Sequence, residues 1–145
     1  MLTSRFRNIR PGGWIELEDF DMAIYSEDGP VDGIISEWFS MIINASSRIG
    51  REHSPGPKLE GWLTSAGFER VMHRQFKIPV GEWPEDVMLK EVGFQYLAQM
   101  VDGLEAFSLR LMCDVLDWKI EDVWAFLEKV AKEFLSNGHR LYMKL

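Results

Sequence analysis

Cysteine is nearly missing from the chain, with Cys113 the only one. An internal disulfide is thereby excluded, no cysteine-based zinc framework can be built, and the lone thiol fits a reducing compartment. Histidine is also scarce. His53, His73 and His139 stand too far apart to make a metal site by spacing. Positive charge is the minority sign, 16 Lys and Arg against 23 Asp and Glu, for a net charge of −7. A broad surface for nucleic acid or anionic membrane is excluded, because phosphate binding needs clustered cations. No stretch approaches the ~20 apolar residues of a membrane span. Arg5, Arg7 and Arg10 flank no apolar signal core, so an intracellular, cytoplasmic protein is expected. Repeats, low-complexity tracts and linker-like composition are missing too, and residues 1–145 read as one domain.

What the sequence does have is organised around residues 10–21. Pro11 presets φ, and Gly12 and Gly13 permit a tight turn. Ile15 and Leu17 then alternate with Glu16 and Glu18, which predicts a strand over Gly13–Glu18. The alternation fails at Asp19-Phe20-Asp21. The strand is expected to end there and to release carboxylates at its C-terminal tip, the edge where open α/β sheets bind ligands. The polar residues 19–30 read as the loop that follows.

Helical spacing governs much of the rest. Leu2, Phe6 and Ile9 fit the end of a helix, and Ile34, Ile35, Trp38, Phe39, Ile42, Ala45 and Ile49 predict a second from Val31 to Ile49. Leu59, Trp62, Leu63 and Ala66 give a short third helix, closed by Gly67. A long helical run covers Asp86 to Leu116. Within it Gly93 and Gly103, each costing about 1 kcal/mol against Ala, are expected to mark bends or a break. The cleanest helix spans residues 120–135, with Asn137-Gly138 as its cap. Phe68–Val80 and His139–Leu145 read as strands. The fold class is therefore α/β, helix-rich, with about five helices and a small sheet of about three strands. The many Phe, Trp and Met residues supply its core.

Several side chains are candidates for chemistry. Glu16, Glu18, Asp19 and Asp21 form an acidic tip, and paired carboxylates can split their pKa values for acid–base work. The competing reading is a solvated strand end. His53, in a loop beside Arg51 and Glu52, is a candidate base because histidine titrates near neutrality. The competing and stronger reading is a surface loop histidine. Tyr25, Trp38, Arg48, Trp83 and Tyr96 can line an apolar pocket between the helical segments, although the tryptophans also suit plain core packing.

These residues occur in blocks that resemble a known family. The blocks are Arg10-Pro11-Gly12-Gly13-Trp14-Ile15-Glu16-Leu17, Tyr25-Ser26-Glu27-Asp28-Gly29, Gly50-Arg51, Ala66-Gly67-Phe68, Pro79-Val80-Gly81-Glu82-Trp83-Pro84, Lys90-Glu91-Val92-Gly93 and Gly103-Leu104-Glu105-Ala106-Phe107-Ser108-Leu109. Their order and spacing are similar to the C-terminal half of the fungal class I S-adenosylmethionine-dependent methyltransferases typified by LaeA.

The resemblance implies a partial Rossmann-like fold. In it Gly13–Glu18 is the fifth strand, and Phe68–Ile78 with His139–Leu145 is the last antiparallel pair. It also implies fungal secondary metabolism and the nucleus as a further location, while the aromatic walls of the expected pocket suit a small polyketide- or terpenoid-like molecule. The family's cofactor half, a strand, a glycine turn and a helix with an acidic residue for the ribose, has no counterpart before residue 10, and Gly12-Gly13 precedes a strand instead.

Three readings follow. The first is a methyltransferase-derived protein without a site for S-adenosylmethionine, performing cofactor-free cyclase or isomerase chemistry. The second is a fragment of a genuine methyltransferase, with S-adenosylmethionine held only if another chain supplies the missing half. The third is a non-catalytic interaction module. In each, a sheet opened at its fifth strand exposes an edge, so a dimer or higher homo-oligomer is expected.

Overall fold

The computed structural model describes residues 8–136 and 138–145. The last strand of the chain is the middle strand of the sheet. β1 (Asp21–Ser26) and β2 (Lys77–Val80) both pair antiparallel with β3 (Leu141–Lys144), giving the order β1-β3-β2. β3 alternates by design of its sequence. Leu141 and Met143 are buried toward the helices, while Tyr142 and Lys144 face the other way and are half-buried. On that second face Tyr142 stacks on Tyr25 with ring centroids 5.5 Å apart. The ammonium of Lys144 lies 3.9 Å from the centre of the Tyr25 ring, and that of Lys77 lies 4.5 Å from the centre of Tyr142. Pro79 sits in β2 opposite Tyr142, a position open to proline because β2 is an edge.

Four α-helices cover the core face among the described residues: α1 (Ile34–Arg48), α2 (Leu59–Ser65), α3 (Val87–Arg110) and α4 (Ile120–Phe134). A turn of 3₁₀-helix, Gly56–Lys58, leads into α2, and α3 runs on into a π-turn, Leu111–Val115. α1 buries Ile35, Trp38, Phe39 and Ile42, and α4 buries Val123, Phe126, Leu127, Val130 and Phe134. Trp38 is 1% exposed, and its indole N–H donates to the Ser108 hydroxyl of α3 at 2.8 Å. The one polar atom of that large side chain is thus satisfied inside the core. α3 begins at Asp86, whose carboxylate accepts the Leu89 N–H at 2.9 Å. Such a cap stabilises a helix by about 1 kcal/mol.

Gly93 has a packing role rather than a hinge role. Its carbonyl accepts the Gly81 N–H at 2.9 Å, and a Cβ at position 93 would lie 2.1 Å from the Gly81 carbonyl oxygen. Backbone meets backbone here, so α3 can close onto the end of β2. The run is therefore one helix and is not split at Gly93 or Gly103.

Two strand expectations are corrected. Gly13–Glu18 forms no ladder, and β1 lies instead at Asp21–Ser26, inside the stretch read as a loop. Alternation marks a segment that can be half-buried, but a strand also needs a neighbour, and β3 pairs with β1 from Lys144 back to Leu141, beginning at Asp21. For the same reason β2 begins at Lys77 and not at Phe68. The helix end read at residues 2–9 falls mostly, and the cap at Asn137 wholly, outside the described residues.

Candidate functional site

Where β3 stops, the segments that lead into β1 and β2 separate and leave a cleft of about 780 Å³. Gly13–Asp19 lines one side, Phe68–Phe76 lines the other, and Lys144 and Leu145 line it at the end of β3. α2 contributes Leu59, Glu60 and Leu63. Its surface joins apolar groups such as Trp14, Leu17 and Met72 to charged ones of both signs.

The carboxylates of the acidic tip are brought together here. Glu16, Glu18, Asp19 and Asp21 all line the cleft. Asp21 is the most tightly held. One carboxylate oxygen accepts the Tyr25 hydroxyl at 2.5 Å, and the other accepts the Ser54 hydroxyl at 3.0 Å. Ser54 in turn accepts the Met22 N–H at 3.0 Å.

A bulge makes the contact with Tyr25 possible. Asp21 pairs with Lys144 and Tyr25 with Tyr142, so β1 uses four residues where β3 uses two. The extra residues fold β1 back on itself until a side chain four positions on can reach. Burial, the hydrogen bond to Asp21 and the charge of Asp21 together push the Tyr25 hydroxyl up to about 12. Asp19 is less constrained and accepts only the adjacent Phe20 N–H, at 2.9 Å.

His53 stands apart from this cleft. Its Nδ1 is 3.2 Å from the hydroxyl of buried Ser46, and its Nε2 is buried without a partner among the described residues. Burial lowers its pKa, against the pull of Glu52. Its neighbour Ser54 carries the loop to Asp21 by a hydrogen bond.

The five residues expected to share an apolar pocket are dispersed. Trp38 is in the core and Arg48 is exposed at the end of α1. Tyr96 stacks on Phe20 with centroids 5.8 Å apart and donates to the Met143 sulfur at 3.2 Å. Burial pushes its hydroxyl up to about 12. Trp83 donates to the Leu141 carbonyl at 2.7 Å and lines a separate cleft of about 220 Å³, beside His139 and Glu82. Tyr25 belongs with Asp21. Sequence reading missed Ser54 and the Tyr25–Asp21 contact, which depend on a bulge and a loop return that carry no local signal.

The other candidate cradle is the strand-to-helix turn from β1 to α1, which carries Gly29 and Gly33, both at positive φ. S-adenosylmethionine, when bound to such a turn, supplies a methyl group on a cationic sulfur, and its adenosine needs a free carboxylate for the ribose. The carboxylates beside this turn are already ion-paired. Asp28 accepts Arg140 through Nε at 2.8 Å and Nη2 at 2.6 Å, and Glu27 accepts Lys77 at 2.6 Å. Neither glycine lines a cleft described above. Among the described residues no group of three His, Cys, Asp or Glu can hold a metal, and no helix is long and apolar enough to cross a membrane.

An antiparallel three-strand edge with helices over one face is a portion of a Rossmann-like α/β fold of the methyltransferase type. The relatives of this chain are fungal methyltransferases. It is 40% identical over 134 residues to methyltransferase pytC of Aspergillus terreus, covering 91% of this chain and 41% of that protein. It is 30% identical over 135 residues to the probable methyltransferase tdiE of Emericella nidulans, covering 92% and 43%. It is 26% identical over 141 residues to the secondary metabolism regulator LAE1 of Cochliobolus heterostrophus, covering 94% and 46%. The chain thus spans less than half the length of the curated relatives it matches. No protein-family model and no solved structure matches it.

Proposed function

We propose that this chain is a small-molecule protein of fungal secondary metabolism that does not hold S-adenosylmethionine with its own residues, and that it performs cyclase- or isomerase-type proton transfer in the cleft at Asp21. The observation that carries the reading is the Asp21 carboxylate, placed at a mixed apolar and polar cleft and oriented by two hydroxyls. An isomerisation or cyclisation takes a proton from one atom of the substrate and returns one to another, so no net reagent is consumed. Asp21 accepts that proton and gives it back, while Tyr25 and Ser54 fix its geometry. Trp14, Leu17, Met72 and Phe76 offer surface to an apolar polyketide- or terpenoid-like skeleton. Glu16 and Asp19 stand on the same wall as further acid–base groups, whereas His53 acts at most through Ser54. The test is turnover of a polyene precursor by the wild-type chain and by Asp21→Asn. Loss of at least a hundredfold supports the reading, and unchanged turnover overturns it.

A second reading is favoured by the share of the relatives matched, 41–46%. In it the chain is one portion of an S-adenosylmethionine-dependent methyltransferase. The two readings differ in their affinity for that cofactor.

A further inference from the structure

The loop at residues 51–56 is pinned at its two ends and held between them by side chains. The Arg51 N–H donates to the Ser46 carbonyl at 3.0 Å, and the Gly56 N–H donates to the Phe20 carbonyl at 3.1 Å. Between them Glu52, His53 and Ser54 make no backbone-to-backbone bond among the described residues. Ser54 fastens the loop to β1, donating to Asp21 at 3.0 Å and accepting the Met22 N–H at 3.0 Å. His53 fastens it to α1, with Nδ1 3.2 Å from the Ser46 hydroxyl. The seat is a close one. A Cβ at Gly56 would lie 2.8 Å from the Phe20 carbonyl carbon and 2.9 Å from both the Asp19 carbonyl oxygen and the Asp21 nitrogen. Backbone rests on backbone here, so the loop leaves β1 by lifting rather than by sliding.

The His53 ring suits this seat only when neutral. Its Nε2 is buried without a partner among the described residues. The Ser46 hydroxyl can donate or accept, so Nδ1 is satisfied in either tautomer, but a protonated ring carries N–H groups on both nitrogens. The second N–H would then be a charged donor buried with no acceptor. The charge that acts on the ring is that of Glu52 in the same loop. Glu52 is itself engaged by Lys58 and by the Ser54 N–H. Lys58 holds it below the usual carboxylate range, so its charge is constant above about pH 5. From α1 the facing group is the neutral Ser46, and from β1 the carboxylate on this side is Asp21, taken up by Ser54 and Tyr25. Arg48 and Arg51, the cations of the adjoining turn, are exposed.

We propose that His53 is a proton-operated latch: when the ring takes up a proton from solvent it leaves its seat, the loop lifts from β1, and Asp21 loses the Ser54 hydroxyl. The docked loop holds the neutral ring and the lifted loop holds the cation, so every proton bound favours lifting. Burial lowers the pKa of the docked ring, and the latch therefore opens below the ordinary histidine value of 6.5. Tyr25 lies in the same strand as Asp21 and stays with it. One of the two hydroxyls on Asp21 is thus set by pH and the other is not. The latch does not depend on the proton-transfer reading. Its effect on turnover does rest on that reading, because there Ser54 helps to fix the geometry of the base.

The test is amide hydrogen exchange of the full chain from pH 7.5 to 5, resolved by nuclear magnetic resonance and corrected for the intrinsic rate at each pH. Two amides report the latch, Met22 on Ser54 and Gly56 on Phe20. Their protection is expected to fall together by about fivefold or more as the His53 ring titrates, while Leu127 and Val130 in the core of α4 keep theirs. In His53→Asn the protection of both amides is expected to be flat over the same range. Gly56→Ala crowds the seat directly and is expected to weaken both amides already at pH 7.5. Protection that ignores pH in the wild type overturns the proposal. The same acid loss in His53→Asn overturns it by assigning the proton to another group, and a loss shared equally by α4 overturns it by making the event global unfolding. None of these readouts uses turnover, so failure of the latch and failure of the proton-transfer reading are separable.

Discussion

The Tyr25 hydroxyl donates to the Asp21 carboxylate at 2.5 Å across four residues of one strand. Straight strand geometry would set these side chains more than 12 Å apart at roughly 3.3 Å per residue, so the contact is a direct reading of the bulge.

Removing the charge of Asp21 is expected to show in the phenol. Asp21→Asn keeps an acceptor oxygen but deletes the charge, one of the causes that raise Tyr25 from 10.0 to about 12, and leaves burial, the largest, in place. Ultraviolet titration of the phenolate is expected to find the Tyr25 transition lowered but still above 10.0. In the wild type the folded state holds this proton more tightly than the unfolded state. The linked stability is full below pH 10 and is lost as pH rises from there toward 12. An unshifted phenol in Asp21→Asn would show that the contact does not exist in solution.

His53 gives the opposite end of the pH scale. Its pKa is lowered in the fold, chiefly by burial. The unfolded chain therefore binds a proton more readily, and stability present above the ordinary histidine range declines as pH falls through it. Thermal melts between pH 7.5 and 5 are expected to fall more steeply for the wild type than for His53→Asn. Parallel curves would contradict this.

The two helix glycines separate cleanly. Gly93→Ala drives a methyl onto the Gly81 carbonyl, where only backbone can yield, and is expected to cost about 1–3 kcal/mol. At Gly103 the obstacle is the Phe107 ring at 2.7 Å, a side chain that is 44% exposed and free to turn. Gly103→Ala is expected to be near neutral, since Ala gains about 1 kcal/mol of helix propensity. Urea titration of both variants decides it, and equal losses would contradict the packing described.

Ser108→Ala strands a buried indole N–H and is expected to lower stability by about 1–3 kcal/mol. The pair Trp38→Phe with Ser108→Ala is expected to lose less than the sum of the single changes. Additive losses in the double-mutant cycle would mean that the two residues are not coupled.

The parts of this fold that were legible in sequence are those decided locally. α1 and α4 announce themselves by apolar spacing, and β3 by its alternation. The Gly13–Glu18 segment alternates as well as β3 does, yet makes no ladder, because pairing belongs to the neighbour and not to the segment. Asp21 was read as a carboxylate at the C-terminal tip of a strand, whereas it opens β1; its company in the cleft with Glu16 and Asp19 follows from their closeness in sequence. Ser54 was not, since it arrives from 33 residues away. The aromatic set failed for a related reason. Trp38 and Tyr96 carry the same spacing whether a helix face meets a ligand or another helix, and here it meets the core.

Association is expected from the apolar side chains exposed on the walls of the cleft, Trp14, Met72 and Phe76. Light scattering is expected to give a dimer or higher species, and a monodisperse monomer would show that the walls stay solvated without a second copy.

The central proposal is that the residues of this chain, unaided, do not grip S-adenosylmethionine; the carboxylates beside the strand-to-helix turn at Gly29 and Gly33 are engaged by Arg140 and Lys77. Isothermal calorimetry of the chain with S-adenosylmethionine, and with its homocysteine product, measures this directly. The account predicts no binding heat for either, whereas saturable binding in the micromolar range would contradict it and establish a methyltransferase portion with a working cofactor site.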